Sequence, residues 1–140
     1  LRFIAVTMVR LDEGVPPVPY QLVATKDCAD NAKTKCSAKV GQQQNGLAQF
    51  DEDIDFWRME FKKGKRYRIE LATKAPGQFW AIRDRAGNYL SDGIGPKVFT
   101  SPVTGTLFLD VSAFTTGYPS GIGGDQRTFP IPYSFVVRPL

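Results

Sequence analysis

The segment DEDIDFWRMEFKKGKRYRIEL, residues 51–71, carries the clearest strand pattern of this chain. Large apolar and charged side chains alternate with a period of two on either side of the turn Lys62-Lys63-Gly64-Lys65. Successive side chains of a strand point to opposite faces, so each half can bury one face and keep its charges in water. The residues expected inside are Trp57, Met59 and Phe61, then Tyr67, Ile69 and Leu71. The pattern therefore predicts a half-buried antiparallel hairpin.

Other short apolar segments are separated by turns, as in an all-β sandwich or barrel. Strands are expected at Phe79–Arg83, Val98–Thr100, Leu107–Phe114 and Pro132–Arg138, a turn at Gln42–Gly46 and a loop at Ser91–Pro96. No segment shows sustained helical periodicity with caps. The 140 residues fit one domain. We assign the main sandwich to residues 25–140.

Residues 1–24 contain a further pair of strands. The segment from Pro17 to Val23 resembles the segment from Pro130 to Val136, since both carry Pro-x-Pro-Tyr before an apolar run. One interpretation is an internal repeat, with residues 1–24 closing a preceding module. The other is coincidence between β-rich segments of one sandwich. The start at Leu1 is interpreted as that of a mature or excised fragment.

Composition excludes several classes of function. The chain has no histidine, which excludes His-based general bases, Ser-His-Asp triads and His-containing metal sites. Its net charge of +4 is mild, so a nucleic-acid partner is not expected. No run approaches the roughly 20 apolar residues of a membrane helix, so no membrane span is expected. Cys28 and Cys36 lie close together in a polar segment and predict a disulfide in an exported protein, with two free cytosolic thiols as the alternative.

Several motifs resemble the bacterial pre-peptidase C-terminal domain family in their order and spacing. They cover about residues 27–138 and are Asp53-Ile54-Asp55-Phe56-Trp57, Gly64-Lys65-Arg66-Tyr67, the Asp84-Arg85-Ala86-Gly87-Asn88 turn, Ser101–Leu107 and Pro132–Val136. Leu107 replaces a usual aromatic, and residues 115–128 are an insertion. The resemblance implies a secreted, non-catalytic, antiparallel jelly-roll-like β-sandwich appended to an extracellular hydrolase, usually a peptidase. Some members bind collagen and hold calcium near their N-terminal linker, but the collagen-contacting tyrosines cannot be placed on this sequence.

The acidic residues of the central stretch suggest a calcium site. Ca²⁺ takes six to eight oxygen ligands, and a dense carboxylate cluster repels itself unless a cation compensates. The resemblance places Asp27, Asp30 and Asn31 where the family has its linker acids, so the candidate ligands are these three with Asp53 and Asp55. The alternative is that Asp53 and Asp55 cap a turn by accepting bonds from backbone N–H groups. A glycosidase-like carboxylate pair is a third interpretation, for which the sequence supplies no pocket.

Two further groups are candidates for ligand contact. The basic run Lys62, Lys63, Lys65, Arg66 and Arg68 could bind a polyanion. The interpretation favoured by the sequence is a solvated hairpin face, because Glu60 and Glu70 are expected on the same polar faces. Tyr89, Tyr118 and Trp80 are the aromatic candidates for stacking on a ligand; Trp80 shares a face with Ile82, so core packing is its default role.

The sequence thus predicts a secreted accessory module of a larger extracellular protein. It would bind a protein or carbohydrate surface and accompany a catalytic domain of the parent chain. The alternative is a structural spacer or maturation repeat in a tandem array that has no ligand of its own.

Overall fold

The alternating segments form eight β-strands in a computed structural model that describes residues 28–49, 53–73, 78–113 and 130–140. The strands are β1 (Gln44–Ala48), β2 (Ile54–Phe61), β3 (Arg66–Thr73), β4 (Gln78–Arg83), β5 (Tyr89–Gly93), β6 (Lys97–Thr100), β7 (Gly105–Ala113) and β8 (Ile131–Pro139). Within this part of the chain there is no helix long and apolar enough to cross a membrane.

The strands form two four-stranded sheets. Sheet one has the order β1-β8-β3-β6 and sheet two the order β2-β7-β4-β5, with every neighbouring pair antiparallel. The first strand thus pairs with the eighth, the second with the seventh, the third with the sixth and the fourth with the fifth. This is a long hairpin rolled into two sheets, which is the jelly-roll arrangement. The prediction of an all-β, antiparallel jelly-roll-like sandwich is confirmed.

The hairpin predicted within residues 51–71 is wrong in its strand pairing. Strands β2 and β3 both form, but β2 pairs with β7 whereas β3 pairs with β6 and β8. The short connection passes from one sheet to the other, so the two apolar faces meet across the core. The rings of Phe61 and Tyr67 are 4.9 Å apart in an edge-to-face contact. Period-two alternation specifies which face is buried, but it does not specify the partner strand.

The core fills the space between the sheets with large side chains of both. Trp80, Ile69, Leu109 and Val137 have no exposed surface, and Met59 and Phe135 are only 1% exposed. The predicted inward faces of β2 and β3 are confirmed, with Trp57 and Leu71 packed against the core at partial burial. Burial of each such side chain contributes about 1.5–3 kcal/mol.

Two turn predictions are corrected. Residues Gln44, Asn45 and Gly46 belong to strand β1, and the preceding turn contains Gly41 at φ 85°. Gly46 is required for packing, because an added Cβ would lie 2.1 Å from the ring of Tyr133 on the neighbouring strand. The predicted loop at Ser91–Pro96 is a strand as far as Gly93 and a turn only beyond it.

The disulfide between Cys28 and Cys36 is present, and its Cα atoms are 5.6 Å apart. The segment it closes lies along the outer edge of β2. Arg58 donates its backbone N–H to Cys36 (3.0 Å) and accepts from Ala38 (3.0 Å). The segment therefore covers part of an edge that would otherwise offer unpaired backbone groups. The predicted strand pair in residues 1–24, the proposed repeat and the insertion 115–128 lie outside the described residues.

Candidate functional site

Strand β5 and the turn after it present three large apolar side chains to solvent. Tyr89 is 59% exposed, Leu90 37% and Ile94 68%. They occur within six consecutive residues, two in the strand and one in the turn after it. Among the described strands, β5 is one of the two edge strands of its sheet, and β2 is the other. We call Tyr89, Leu90 and Ile94 the β5 surface.

Arg83 holds Tyr89 in place. Its guanidinium group stacks on the Tyr89 ring at 3.6 Å from the centroid, and Nη2 donates to the tyrosine hydroxyl. Its Nη1 also donates to the carbonyl of Gly87 at 3.2 Å. The exposed ring is therefore fixed from one side, which lowers the conformational entropy that a binding partner must remove.

Arg83 is itself anchored by a buried carboxylate. Its Nε donates to Oδ2 of Asp110, a residue of β7 without exposed surface. Ser112 donates to the other oxygen of that carboxylate at 3.4 Å. Burial raises the pKa of the Asp110 carboxyl above its usual value of 3.8, while Arg83 and Ser112 oppose this shift. The support of Tyr89 thus extends to the central strand of the sheet.

The turn between β4 and β5 is closed by the side chain of Asp84. Its Oδ1 accepts from the backbone N–H groups of Ala86 (2.8 Å) and Asn88 (2.9 Å), and its Oδ2 accepts from the Asn88 side chain (2.8 Å). These bonds, first those from Asn88, lower the pKa of Asp84. Gly87 has φ 89°, a conformation in which a side chain would be strained. The sequence prediction of a tight turn here is confirmed, and it leads directly into Tyr89.

Trp80 supports the β5 surface from the inside. The indole is fully buried, and a Cβ on Gly93 would lie 2.9 Å from its Cζ2. Its Nε1 donates to the carbonyl of Gly95 at 3.1 Å, which fixes the turn that carries Ile94. The prediction of Trp80 as a ligand contact is therefore wrong, because the ring cannot reach an external ligand. Its default role in the core is the one observed.

Asp53 and Asp55 are buried and bind neighbouring parts of the fold. Asp53 accepts from the backbone N–H of Gln49 at 2.7 Å. Asp55 accepts from the backbone N–H of Cys28 at 3.3 Å, and its Oδ2 accepts from the hydroxyl of Tyr133. The same hydroxyl accepts from Trp57 Nε1 at 2.9 Å. Asp55 thereby links sheet two both to sheet one and to the disulfide segment.

The other predicted calcium ligands are placed differently. Asp30 and Asn31 lie on the exposed side of the disulfide segment, where Asn31 Nδ2 donates to Asp30 at 3.0 Å and its Oδ1 accepts from the Lys33 N–H at 2.9 Å. In the described ranges, no three His, Cys, Asp or Glu side chains gather into a group that could hold a metal. Asp27 lies outside these ranges. The described residues do not form a calcium cage. The calcium site stays a prediction.

The sequence interpretation missed Arg83 and Asp110 as supports of the exposed tyrosine. A signal was available, because Asp110 interrupts the apolar run Leu107–Val111 and a buried carboxylate requires a cation or hydrogen-bond donors. Tyr118, the other aromatic candidate, lies outside the described residues.

No protein-family model and no curated protein sequence matches this chain. The solved structures that share its fold include the following two. The pre-peptidase C-terminal domain of a collagenase from Bacillus anthracis superimposes with a TM-score of 0.56 and 14% identity, over 73% of this chain and 92% of that domain. PliG of Aeromonas hydrophila, a periplasmic inhibitor of g-type lysozyme, has a TM-score of 0.56 and 13% identity, over 75% of this chain and 96% of the inhibitor. The resemblance predicted from the sequence is confirmed in the fold.

Proposed function

We propose that this chain is a non-catalytic, exported module that binds a protein or carbohydrate surface through the β5 surface. It would serve a larger extracellular protein as an accessory to a hydrolase or peptidase domain. The observation that carries the proposal is the exposed Tyr89, held by a stacked Arg83 that is anchored in turn on buried Asp110. Aromatic side chains that are exposed yet rigid are typical anchors of binding surfaces.

The other groups with potential chemistry support a structural role. The three buried carboxylates of the described residues, Asp53, Asp55 and Asp110, each accept hydrogen bonds that join separate parts of the sandwich. Both cysteines are consumed in the disulfide. A disulfide also favours an oxidising compartment, in keeping with export.

The two proteins of similar fold support binding as the function. One is named as a domain of a collagenase and the other as an inhibitor of g-type lysozyme. The same fold therefore occurs in a domain of a collagenase and in an inhibitor of lysozyme. Fold alone does not assign function, so the ligand has to be found by experiment.

The test measures binding of the full chain to four immobilised probes: fibrillar collagen, g-type lysozyme, chitin and peptidoglycan. We expect saturable binding to at least one probe. Replacing Tyr89, Leu90 and Ile94 by serine removes the apolar contact area and should weaken that binding at least about tenfold. Val103→Ser is the matched control, because Val103 is a 42% exposed aliphatic residue outside the β5 surface.

Melting temperatures of both variants separate lost binding from lost folding. Failure of the wild-type chain to bind any probe would favour the spacer or maturation repeat. Equal losses in the triple serine variant and the Val103 control would refute the β5 surface as the contact site.

A further inference from the structure

The surface of the described residues is more basic than their composition indicates. These residues include eight Asp or Glu side chains, of which Asp53, Asp55 and Asp110 are buried. They also include thirteen Lys or Arg side chains, and all except Arg83 are exposed. Burial of carboxylates inside the sandwich therefore leaves surface cations without compensating charge.

Four of these cations follow one another closely in sequence, three in the connection from β2 to β3 and the fourth at the first residue of β3. Lys62, Lys63, Lys65 and Arg66 are all exposed, and we call them the cationic turn. None of them lies within ion-pair distance of a described carboxylate. The ion pairs nearest in sequence join Arg68 and Arg138 to Glu70, at 2.8 and 3.2 Å.

The fold changes the charge balance that the sequence suggested. Glu60 and Glu70 would neutralise this run in a hairpin, but β2 and β3 belong to different sheets, so the two acids lie on opposite outer faces. Glu70 is shared between two arginines. Glu60 accepts a hydrogen bond from Thr106 at 2.5 Å. Glu70 therefore compensates Arg68, and neither acid is bound to one of the four cations from Lys62 to Arg66.

The backbone of the cationic turn is fixed, although its side chains are free. Lys62 donates its N–H to the Tyr67 hydroxyl (2.9 Å), and Lys63 donates to Thr104 Oγ1 (2.9 Å). The Gly64 N–H donates to the carbonyl of Ser101 (2.8 Å), and the Ser101 N–H donates to the carbonyl of Lys65 (3.0 Å). Four positive charges are thus displayed from a rigid loop, and no backbone ordering is needed when a ligand binds.

We propose that the cationic turn binds a sulfated polysaccharide. Short runs rich in Lys and Arg form heparin-type patches, and release of counterions from the polyanion drives such binding. Single-stranded nucleic acid would require exposed aromatic rings for base stacking. The aromatic residue of the run, Tyr67, is only 4% exposed and its hydroxyl is occupied. The cationic turn shares no residue with the β5 surface, so an experiment can refute one binding site without refuting the other.

The experiment titrates the full chain with heparin as the probe. We expect the affinity for heparin to fall roughly 50- to 150-fold between 50 and 200 mM salt. This range assumes that four charges contact the polyanion and that the dependence of affinity on salt is the same as for nucleic acids. The variant K62Q/K63Q/K65Q should lose at least about tenfold in affinity at 50 mM salt. The charge-retaining variant K62R/K63R/K65R should keep binding.

The matched control is K33Q/K35Q/K39Q, which removes the same charge from exposed lysines of another segment and should change affinity less than about twofold. Equal losses in the two glutamine variants would mean that net charge alone attracts heparin and would overturn the proposal. Binding of polyglutamate or single-stranded DNA as tight as that of heparin would overturn the assignment to polysaccharide. Absence of heparin binding at 50 mM salt would overturn the site itself.

Discussion

The hydroxyl of Tyr133 connects the two sheets, and Tyr133→Phe is the most informative single change. The hydroxyl donates to the buried carboxylate of Asp55 and accepts from the indole N–H of Trp57. A bond to a charged group contributes about 1.5–3 kcal/mol and a neutral bond about 0.5–1.5 kcal/mol. We expect the substitution to lower the free energy of unfolding by about 2–4 kcal/mol.

Tyr67→Phe is the matched control. Both tyrosines are 4% exposed, but the Tyr67 hydroxyl serves one backbone N–H of an exposed turn. Its loss should cost about 0.5–1.5 kcal/mol. Urea denaturation of the full chain at neutral pH, followed by circular dichroism, measures both variants. If Tyr133→Phe costs no more than Tyr67→Phe, the hydroxyl does not connect the sheets as described.

The same hydroxyl predicts a pH dependence. Burial, followed by the charge of Asp55 and the bond to it, raises the pKa of Tyr133 far above its ordinary value of 10.0. Above pH 10 the unfolded tyrosine loses its proton while the folded one keeps it, so stability must decrease as pH rises. The advantage of wild type over Tyr133→Phe should shrink by about 1.4 kcal/mol per pH unit there. An advantage that stays constant up to pH 11 would contradict this ionisation.

Three further predictions concern the buried ion pair, a close packing contact and calcium. Arg83→Met leaves the buried Asp110 without its cation and should lower the free energy of unfolding by about 3–5 kcal/mol. Because the pKa of Asp110 then rises further, this loss of stability should shrink as pH falls towards 4. An unchanged urea midpoint would refute the stabilising ion pair. Gly46→Ala should cost about 1–3 kcal/mol by forcing a tyrosine ring aside, whereas Gly95→Ala, whose Cβ would meet nothing within 4 Å, should change the melting temperature little; equal shifts would contradict the contact. Calorimetric titration with Ca²⁺ tests the predicted calcium site. Heat of binding and a raised melting temperature would support the site, and the absence of both would rule it out.

The strands and their buried faces could be read from the sequence because they depend on local periodicity. The alternation from Trp57 to Leu71 predicts both strands and their inward faces, and the structure agrees. Their assignment to opposite sheets depends on contacts with β7 and β8, which are distant in sequence, so local periodicity carries no information about it. The misplaced turn at Gln42–Gly46 has the same cause, because Gly46 is needed for the ring of Tyr133 across the sheet.

The candidate site was predictable only in part. The Gly-rich surroundings of Tyr89 in the sequence favour exposure of this side chain, and it is exposed. Its support by Arg83 requires a carboxylate from β7, which lies 27 residues further along the chain. The acidic residues Asp53 and Asp55 suggested either a metal or a capped turn, because their sequence does not reveal the Tyr133 hydroxyl 78 residues away.

Hydrogen exchange of the free and bound chain shows whether a ligand contacts the β5 surface. The full chain is compared free and saturated with whichever of collagen, g-type lysozyme, chitin or peptidoglycan retains it. We expect the amides between Tyr89 and Gly95 to exchange more slowly on binding. This protection should be lost when Tyr89, Leu90 and Ile94 are replaced by serine. Retention by none of the four probes, or protection confined to other strands, would contradict it.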